Sequence, residues 1–159
     1  MDASLLKNRI VVSMDGGASL GSVEDVLFDT DQLRIAALVL RHDGARLILP
    51  FGAVQHIGAE AITVAGVDSV EAERAEGSLN LMRHLDDLVG LRVLNGDAEY
   101  LGDVRSLTID DETGDLTELE AHSGGMLGLG GRSTVIPVSA IRGIGDDFVT
   151  AEMSAISTS

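Results

Sequence analysis

The chain repeats itself, and this duplication constrains its fold more than any other feature. Residues 20–29, Leu-Gly-Ser-Val-Glu-Asp-Val-Leu-Phe-Asp, align at an offset of 81 with residues 101–110, Leu-Gly-Asp-Val-Arg-Ser-Leu-Thr-Ile-Asp. Residues 48–58 align with residues 135–145 at an offset of 87. The difference of six residues falls in the glycine-rich segment 122–133 of the second copy. Because a repeat is one structural unit used twice, we expect two similar domains.

Each copy contains a series of short β-prone segments. The first segment ends in a turn sequence, Asp-Gly-Gly in one copy and Asn-Gly-Asp in the other, which predicts a hairpin. The second segment alternates imperfectly at Val104, Leu107 and Ile109, which allows for a bulge. Five strands per copy, with little room for helices, predict a small barrel. The predicted strands other than the second are 10–14, 35–40, a segment ending at Pro50, and 61–64; then 91–94, 116–121, a segment ending at Pro137, and 148–151.

The segment between the copies has a different composition. Residues 70–76 are rich in helix formers and stop at a glycine, and Ser78 can begin a further helical turn that carries Leu79, Met82 and Leu85. These apolar side chains would form a stripe against a barrel. We therefore predict an all-β protein with two small β-barrels in tandem, residues 1–66 and 88–154, joined by a partly helical linker at residues 67–87.

The two barrels are expected to associate. A domain of this size buries only about 60% of its surface, so each barrel alone would be marginally stable. We expect the barrels either to pack on each other within one chain or to pair between two chains as a homodimer.

In their order and duplication, these motifs resemble a tandem of PRC-barrel domains. The family includes the cytoplasmic domain of the photosynthetic reaction-centre H subunit and the C-terminal domain of the ribosome-maturation factor RimM. The first copy departs from the family pattern at Asn8, where a glycine is usual. Segment 124–137 resembles a glycine-rich segment of stand-alone bacterial members. The matching residues are Leu20, Gly21, Val23 and Pro50 in the first copy, and Gly90, Val93, Leu101, Gly102, Val104 and Pro137 in the second.

The resemblance implies a binding or structural module rather than an enzyme. One family member modulates electron and proton transfer to a quinone in a membrane complex, and another docks onto a ribosomal protein. We therefore expect a bacterial, non-enzymatic adaptor or scaffold that binds a protein partner, with an accessory role in a photosynthetic or other electron-transfer complex as the closest specific reading. Two alternatives remain open: a small-molecule or ion-binding protein with a pocket between the barrels, and a ribosome-assembly factor that docks a ribosomal protein.

Composition excludes several classes of partner. The formal net charge of -15 repels nucleic-acid backbones, and an aromatic content of 3% provides no platform for base stacking. The chain has no cysteine, which excludes thiolate nucleophiles and cysteine-based metal centres. No apolar run approaches the ~20 residues of a membrane span. These features predict a cytoplasmic protein, free or peripheral to a membrane complex, without nucleic-acid binding or membrane insertion.

The glycine-rich segment is the main candidate for a binding site. A phosphate-binding loop leads into a helix and usually contains a lysine. This segment leads into a strand and has no lysine, so its sequence argues against phosphate binding. Its apolar residues Met126, Leu127 and Leu129 either fold back over the open end of the barrel or form a patch for a partner, with Arg132 beside them.

Other polar clusters carry no recognisable chemistry. The acidic turn 110–115 lacks the spacing of a calcium loop and is expected to be an ordinary solvated turn. The histidines His42, His56, His84 and His122 form no ligand pair. We therefore predict no catalytic residue, metal or cofactor.

Overall fold

Two β-sheets, one from each copy, make up most of the molecule. The computed structural model describes residues 1–73, 82–124 and 131–153. The first copy contains β1 Ile10–Ser13, β2 Ser19–Asp29, β3 Arg34–His42, β4 Ala45–Pro50, β5 Val54–Ile57 and β6 Ala61–Val64. The linker contains β7 Glu71–Ala72, β8 Arg83–His84 and the single helical turn α1 Leu85–Leu88. The second copy contains β9 Arg92–Asn95, β10 Tyr100–Ile109, β11 Leu116–Ser123, β12 Arg132–Pro137, β13 Ile141–Ile144 and β14 Phe148–Ala151.

The two sheets have the same topology. Their strand orders are β5-β6-β1-β2-β3-β4-β7, with β8 on β2, and β13-β14-β9-β10-β11-β12. One pair in each sheet is parallel, β1 with β6 and β9 with β14, and the other pairs are antiparallel. Each sheet curls like a small barrel, but its described terminal strands do not pair with each other. The prediction of an all-β fold with two barrel-like units is confirmed.

The predicted strands are found, and each copy has one more. Strands β6 and β14 have the predicted bounds, and the predicted bulge occurs at equivalent places, Val23/Asp25 and Val104/Ser106. The missed strands β5 and β13 follow short 3-10 turns after Pro50 and Pro137. Both strands have apolar residues only at their two ends, Val-Gln-His-Ile and Ile-Arg-Gly-Ile, so neither shows the alternation that a strand prediction needs.

The linker prediction requires a correction. The helix predicted over residues 70–76 is wrong at Glu71–Ala72, which form β7 and pair with Leu47 and Ile48 of β4. The free edge of β4 provides hydrogen bonds that a short isolated helix cannot match, because helix propensity is weak and nucleation is costly. Residues 74–81, including Ser78 and Leu79, lie outside the described part. Met82 and Leu85 do pack on the barrels, but Met82 lies just before β8 and Leu85 in α1, so they do not belong to one helix.

Backbone geometry explains the Leu-Gly motif at the start of β2 and β10. Gly21 and Gly102 have φ angles of +117° and +132°, which side-chain-bearing residues rarely adopt. A Cβ atom on Gly21 would lie 2.5 Å from the carbonyl oxygen of Arg41, and one on Gly102 would lie 2.9 Å from the backbone of His122. The motif therefore marks the place where the second strand of each copy passes close to the third.

Asn8, the departure from the family pattern, adopts the conformation of the usual glycine. Its φ is +71°, and its equivalent Gly90 has φ +98°. The Asn8 amide donates to the Val23 carbonyl at 2.8 Å, and the Gly90 amide donates to the Val104 carbonyl at 2.7 Å. Asparagine tolerates the left-handed region better than most residues, so the departure preserves the local structure.

The two copies meet through equivalent residues. Arg34 and Asp115, which are related by the offset of 81, form an antiparallel bridge. On either side of it, the Ile35 amide donates to the Gly114 carbonyl and the Leu116 amide donates to the Leu33 carbonyl, each at 2.9 Å. Because each copy contributes the same position, the junction has local two-fold character.

The first residues of each copy also pair with the sheet of the other copy. Asp2 forms a bridge with Thr108 of β10, and the Met1 carbonyl accepts from the Ile109 amide at 2.8 Å. In the equivalent place, His84 of β8 pairs with Leu27 of β2. The exchange is reciprocal, and it joins the barrels by backbone hydrogen bonds in both directions.

One hydrophobic core spans both copies. The buried aliphatic side chains on the inner faces of the two sheets belong to a single cluster, together with Ala3, Leu6, Leu85 and Leu88 from the exchanged segments. The barrels therefore pack on each other within one chain. Fully buried members include Phe28, Ile35, Leu38, Leu49 and Ile62 from the first copy, and Leu107, Ile109, Leu119 and Ile136 from the second.

Candidate partner-binding surface

The glycine-rich segment extends the hairpin between β11 and β12. The last pair of this hairpin is Ser123 with Arg132, and Arg132 is exposed. Gly124 begins the segment with φ +84°, and its Cβ position lies 3.7 Å from the Cα atom of Gly131. The predicted residues Met126, Leu127 and Leu129 lie outside the described residues, so the choice between covering the barrel and facing a partner stays open for them.

The base of this hairpin is arranged around His122. A Cβ atom on Gly131 would lie 2.5 Å from the imidazole ring, so only glycine fits there without displacing the ring. The Nδ1 atom of His122 lies 3.1 Å from Ser133 Oγ and 3.5 Å from Arg105 Nη1. Arg105 in turn lies 3.8 Å from the carboxylate of Glu120. The segment thus leaves the barrel from a base with defined polar contacts.

The first copy closes the same hairpin with two residues. Asp43 and Gly44 have φ angles of +49° and +81°, as in the tight turns preferred by two-residue hairpins. Glu24, at the position of Arg105, accepts a hydrogen bond of 2.6 Å from Arg41, which occupies the position of His122. This hydrogen bond, reinforced by the charges of Arg41 and Arg46 and opposed by partial burial, holds the pKa of Glu24 below its ordinary value.

The outer faces of the two sheets differ more than their cores. In the first copy, Leu27, Ala37, Val39 and Ile48 form a second buried apolar cluster, against which Met82 of the linker packs. At the equivalent positions the second copy has Thr108, Glu118, Glu120 and Val135. Of these, Val135 is 55% exposed. Aligning the two third strands side by side would have revealed this difference, since alanine and valine are replaced by two glutamates.

The edge strands differ as well. In the first copy the outer edge of β4 pairs with β7. Its equivalent β12 is the last strand of its sheet within the described residues. The side chains of Thr134 and Ile136 point into the core, whereas those of Ser133 and Val135 are exposed. The second copy therefore presents a strand edge and an apolar side chain beside the glycine-rich segment.

A second exposed surface lies on β9, β10 and β14. Phe148 is 42% exposed and Tyr100 is 48% exposed. Phe148 is in register with Arg92, which is in register with Asp103. The Tyr100 hydroxyl donates to Asp103 at 2.8 Å, and this hydrogen bond, with slight burial and the charge of Asp103, raises the pKa of Tyr100. The surface is small and its polar groups are paired with each other.

The acidic turn 110–115 is a junction element. The Asp110 carboxylate accepts from the amides of Glu112 and Thr113 at 2.8 and 3.2 Å, as expected of an ordinary turn. Gly114, however, packs so closely on Phe51 of the first copy that a Cβ atom there would lie 2.6 Å from the ring. The prediction of an ordinary solvated turn is therefore incomplete. The contact of Gly114 with Phe51 joins residues far apart in the sequence, and no local pattern predicts it.

The remaining described surface offers few sites for small ligands. A shallow cavity of 200 Å³ lies beside the junction, but first-copy residues alone line it, among them Asp29, Arg34 and Phe51. Within residues 1–73, 82–124 and 131–153, no three acidic or histidine side chains converge as a metal site would require. None of the described helices is long and apolar enough to cross a membrane.

Comparison with known proteins agrees with the duplicated architecture. The family model for the PRC-barrel domain matches the chain twice, over residues 1–70 and 82–155. A search of curated proteins finds no match to the sequence. The two matches cover every strand of the two sheets except β7, and they include the glycines whose geometry is described above. The chain therefore belongs to the PRC-barrel domain family, with two copies of the domain in tandem.

Proposed function

We propose that this protein is a non-enzymatic adaptor that binds a protein partner through the hairpin end of its second barrel. The observation that carries the proposal is the difference between the two hairpins. The first ends in a two-residue turn, whereas the second carries the glycine-rich insertion above an edge strand with an exposed Val135. A strand edge with unpaired backbone groups is a template on which another chain can pair.

The rest of the molecule supports a scaffold role. The reciprocal exchange and the shared core make the two barrels one body, so the first barrel can hold the second in a fixed orientation. The candidate surface comprises the apolar residues of the insertion together with Arg132. The complex we favour is a membrane-associated electron-transfer complex, with this protein bound peripherally from the cytoplasm, and the support for this choice is the resemblance to the reaction-centre H subunit alone.

Grafting the first turn onto the second hairpin tests the proposal. Replacing residues 124–131 with Asp-Gly would join Ser123 to Arg132 as Asp43-Gly44 join His42 to Ala45. We expect the melting temperature to change little, because the graft reproduces a turn that this fold already uses. Crosslinking in the native host, followed by mass spectrometry, should recover a partner with the unaltered chain and lose it with the graft.

The control is Asp43→Asn, a change at the tip of the other hairpin that should leave the crosslinks unchanged. Equal crosslinking of the graft and the unaltered chain would remove the second hairpin from the proposal. A large fall in melting temperature would instead show that the insertion stabilises its own barrel.

A further inference from the structure

The first copy shows how the equivalent edge of a PRC barrel is used. An extended segment, β7, pairs with β4 so that Leu47 faces Ala72 and Ile48 faces Glu71. The pairing continues to the amide of Glu73, which donates to the Arg46 carbonyl at 3.3 Å. The backbone groups of Arg46 therefore point away from β3, towards the added strand. By the repeat, the same groups of Ser133 and Val135 in β12 point towards the outer edge, on which no described strand pairs.

The charges beside this edge differ between the copies. In the first copy Arg46 lies across the outer face, 3.5 Å from Glu24 and 3.4 Å from Glu73. Ser133 replaces Arg46 in the second copy, and the neighbouring strand β11 carries Glu118 and Glu120. The second copy thus has two carboxylates on this face beside one cation, Arg105, which lies 3.8 Å from Glu120, while the position that supplies the bridging cation in the first copy is neutral.

We propose that β12 binds an extended, basic segment of a partner protein as an added antiparallel strand. Its backbone would pair with Ser133 and Val135, as β7 pairs with β4. Its lysine or arginine side chains would lie over Val135 and reach towards Glu118 and Glu120 on β11, two strand spacings or ~9.6 Å away. Arg46 of β4 reaches Glu24 of β2 across the same separation in the first copy. Strand addition obtains affinity from main-chain hydrogen bonds and specificity from alternate side chains. The inference rests on the proposed adaptor function and specifies its partner.

Charge argues for a basic segment rather than a second copy of this chain. Pairing of two β12 edges would bring Glu118 and Glu120 of both chains to one face, in a protein whose formal net charge is already -15. Like charges placed close together oppose association.

The test uses a short capped peptide in which lysine alternates with valine or threonine, so that all lysines lie on one face of the strand. We expect it to bind the full chain, to shift the amide resonances of residues 132–136 and to slow hydrogen exchange at Val135. Two control peptides should each bind at least about tenfold more weakly than the lysine peptide. One has glutamate in place of lysine, and the other has methylated backbone amides on the edge that would pair with β12.

Variants of one residue separate the backbone from the side chain. Val135→Pro removes the amide that would pair with the added strand, and it should weaken the lysine peptide by about tenfold. Val135→Thr keeps the amide and the shape, so it should retain binding within about twofold. Unchanged melting of both variants would show that the fold is intact. The paired change Glu118→Gln with Glu120→Gln should also weaken binding and reduce its dependence on salt.

Each contrary result has a distinct meaning. Absence of peptide binding, or equal binding of the methylated peptide, would overturn strand addition while leaving the adaptor proposal to the crosslinking experiment. Slow hydrogen exchange of the Val135 amide in the absence of peptide would also overturn strand addition by a partner. If the chain then has the mass of a dimer, a second copy occupies the edge of β12. If the protection is lost when residues 154–159 are removed, that segment of the same chain occupies the edge. Loss of host crosslinks from the grafted chain, while that chain still binds the lysine peptide, would support both proposals, because it would assign part of the partner contact to the insertion and part to the edge of β12.

Discussion

The two barrels have similar side chains on the inner faces of their sheets and different side chains on the outer faces. Leu38 and Leu119 are equivalent and equally buried, and the bulges of their sheets occur at the same positions. On the opposite face, Val39 is buried and its equivalent Glu120 is partly exposed. Packing constrains the inner face of each sheet, whereas the outer face is constrained only by what covers it.

The cover itself is unequal. In the first copy β7 pairs with the outer edge of β4, whereas no described strand pairs with the equivalent edge of β12. The pairing of β8 with β2 has its counterpart in the bridge between Asp2 and β10, so β7 accounts for the unequal cover of the two edges. The outer face of the second copy is polar around the exposed Val135.

Exchanging residues between the outer faces should produce the largest effect. Val39→Glu places a carboxylate in a position that is 1% exposed, and should lower the free energy of unfolding by about 3 kcal/mol or more. The reverse change, Glu120→Val, should alter it by less than about 1 kcal/mol, because the site is partly solvated and its ion pair with Arg105 is weak. Urea denaturation of both variants measures the difference. Similar losses for the two would mean that the outer faces are equally covered.

The close-approach glycines should be costly in both copies. Gly21→Ala and Gly102→Ala would each force a Cβ atom against the backbone of the neighbouring strand and should lower stability by about 2 kcal/mol, with Gly21 the more sensitive. Gly52→Ala is the matched control, since its Cβ would meet nothing within 4 Å and its φ is ordinary. Thermal unfolding followed by circular dichroism would rank the three. A neutral Gly21→Ala would contradict the tight approach to Arg41.

A smaller effect is expected at the residues that precede the first strands. Asn8→Ala and Gly90→Ala each place an alanine at positive φ, which should lower the free energy of unfolding by about 1 kcal/mol. No clash adds to this at Gly90, where a Cβ atom would meet nothing within 4 Å. Asn8→Gly should be close to neutral, because glycine adopts the same conformation without strain. Denaturant midpoints of the three variants would show whether Asn8 and Gly90 are interchangeable. A large loss for Asn8→Gly would assign a separate role to the asparagine side chain.

The smallest effect concerns pH. The folded pKa of Glu24 lies below its ordinary value of 4.5, so its pairing with Arg41 stabilises the folded state at neutral pH. That contribution is lost as the pH falls below 4.5 and through the folded pKa of Glu24. The stability difference between the unaltered chain and Glu24→Gln should therefore shrink on the acid side. The exposed Glu60→Gln serves as control, and an equal pH dependence of both variants would show that the Arg41 pair contributes nothing.

Strand positions were predictable wherever alternation and turn residues occur together. The repeat, the glycines and the two prolines located five strands per copy, because these residues act through local backbone geometry. β5 and β13 were missed because each has apolar residues only at its two ends, which gives no alternation, and β7 was misread because its helix-forming residues meet the free edge of β4. Of the candidate surface, Arg132 was identified in the sequence, whereas Val135 was not singled out, because its exposure depends on the strands beside β12, and no described strand pairs with the outer edge of β12.

What the sequence determined by itself is the duplication, the family and the six-residue difference between the hairpins, all of which are properties of residue order. Only the tertiary structure decided that Arg34 meets its own equivalent Asp115, that the first residues of each copy pair with the sheet of the other, and that β7 pairs with β4. These contacts join residues far apart in the chain. They are fixed by which edges and apolar faces remain unsatisfied once both sheets have formed, and no local pattern contains that information.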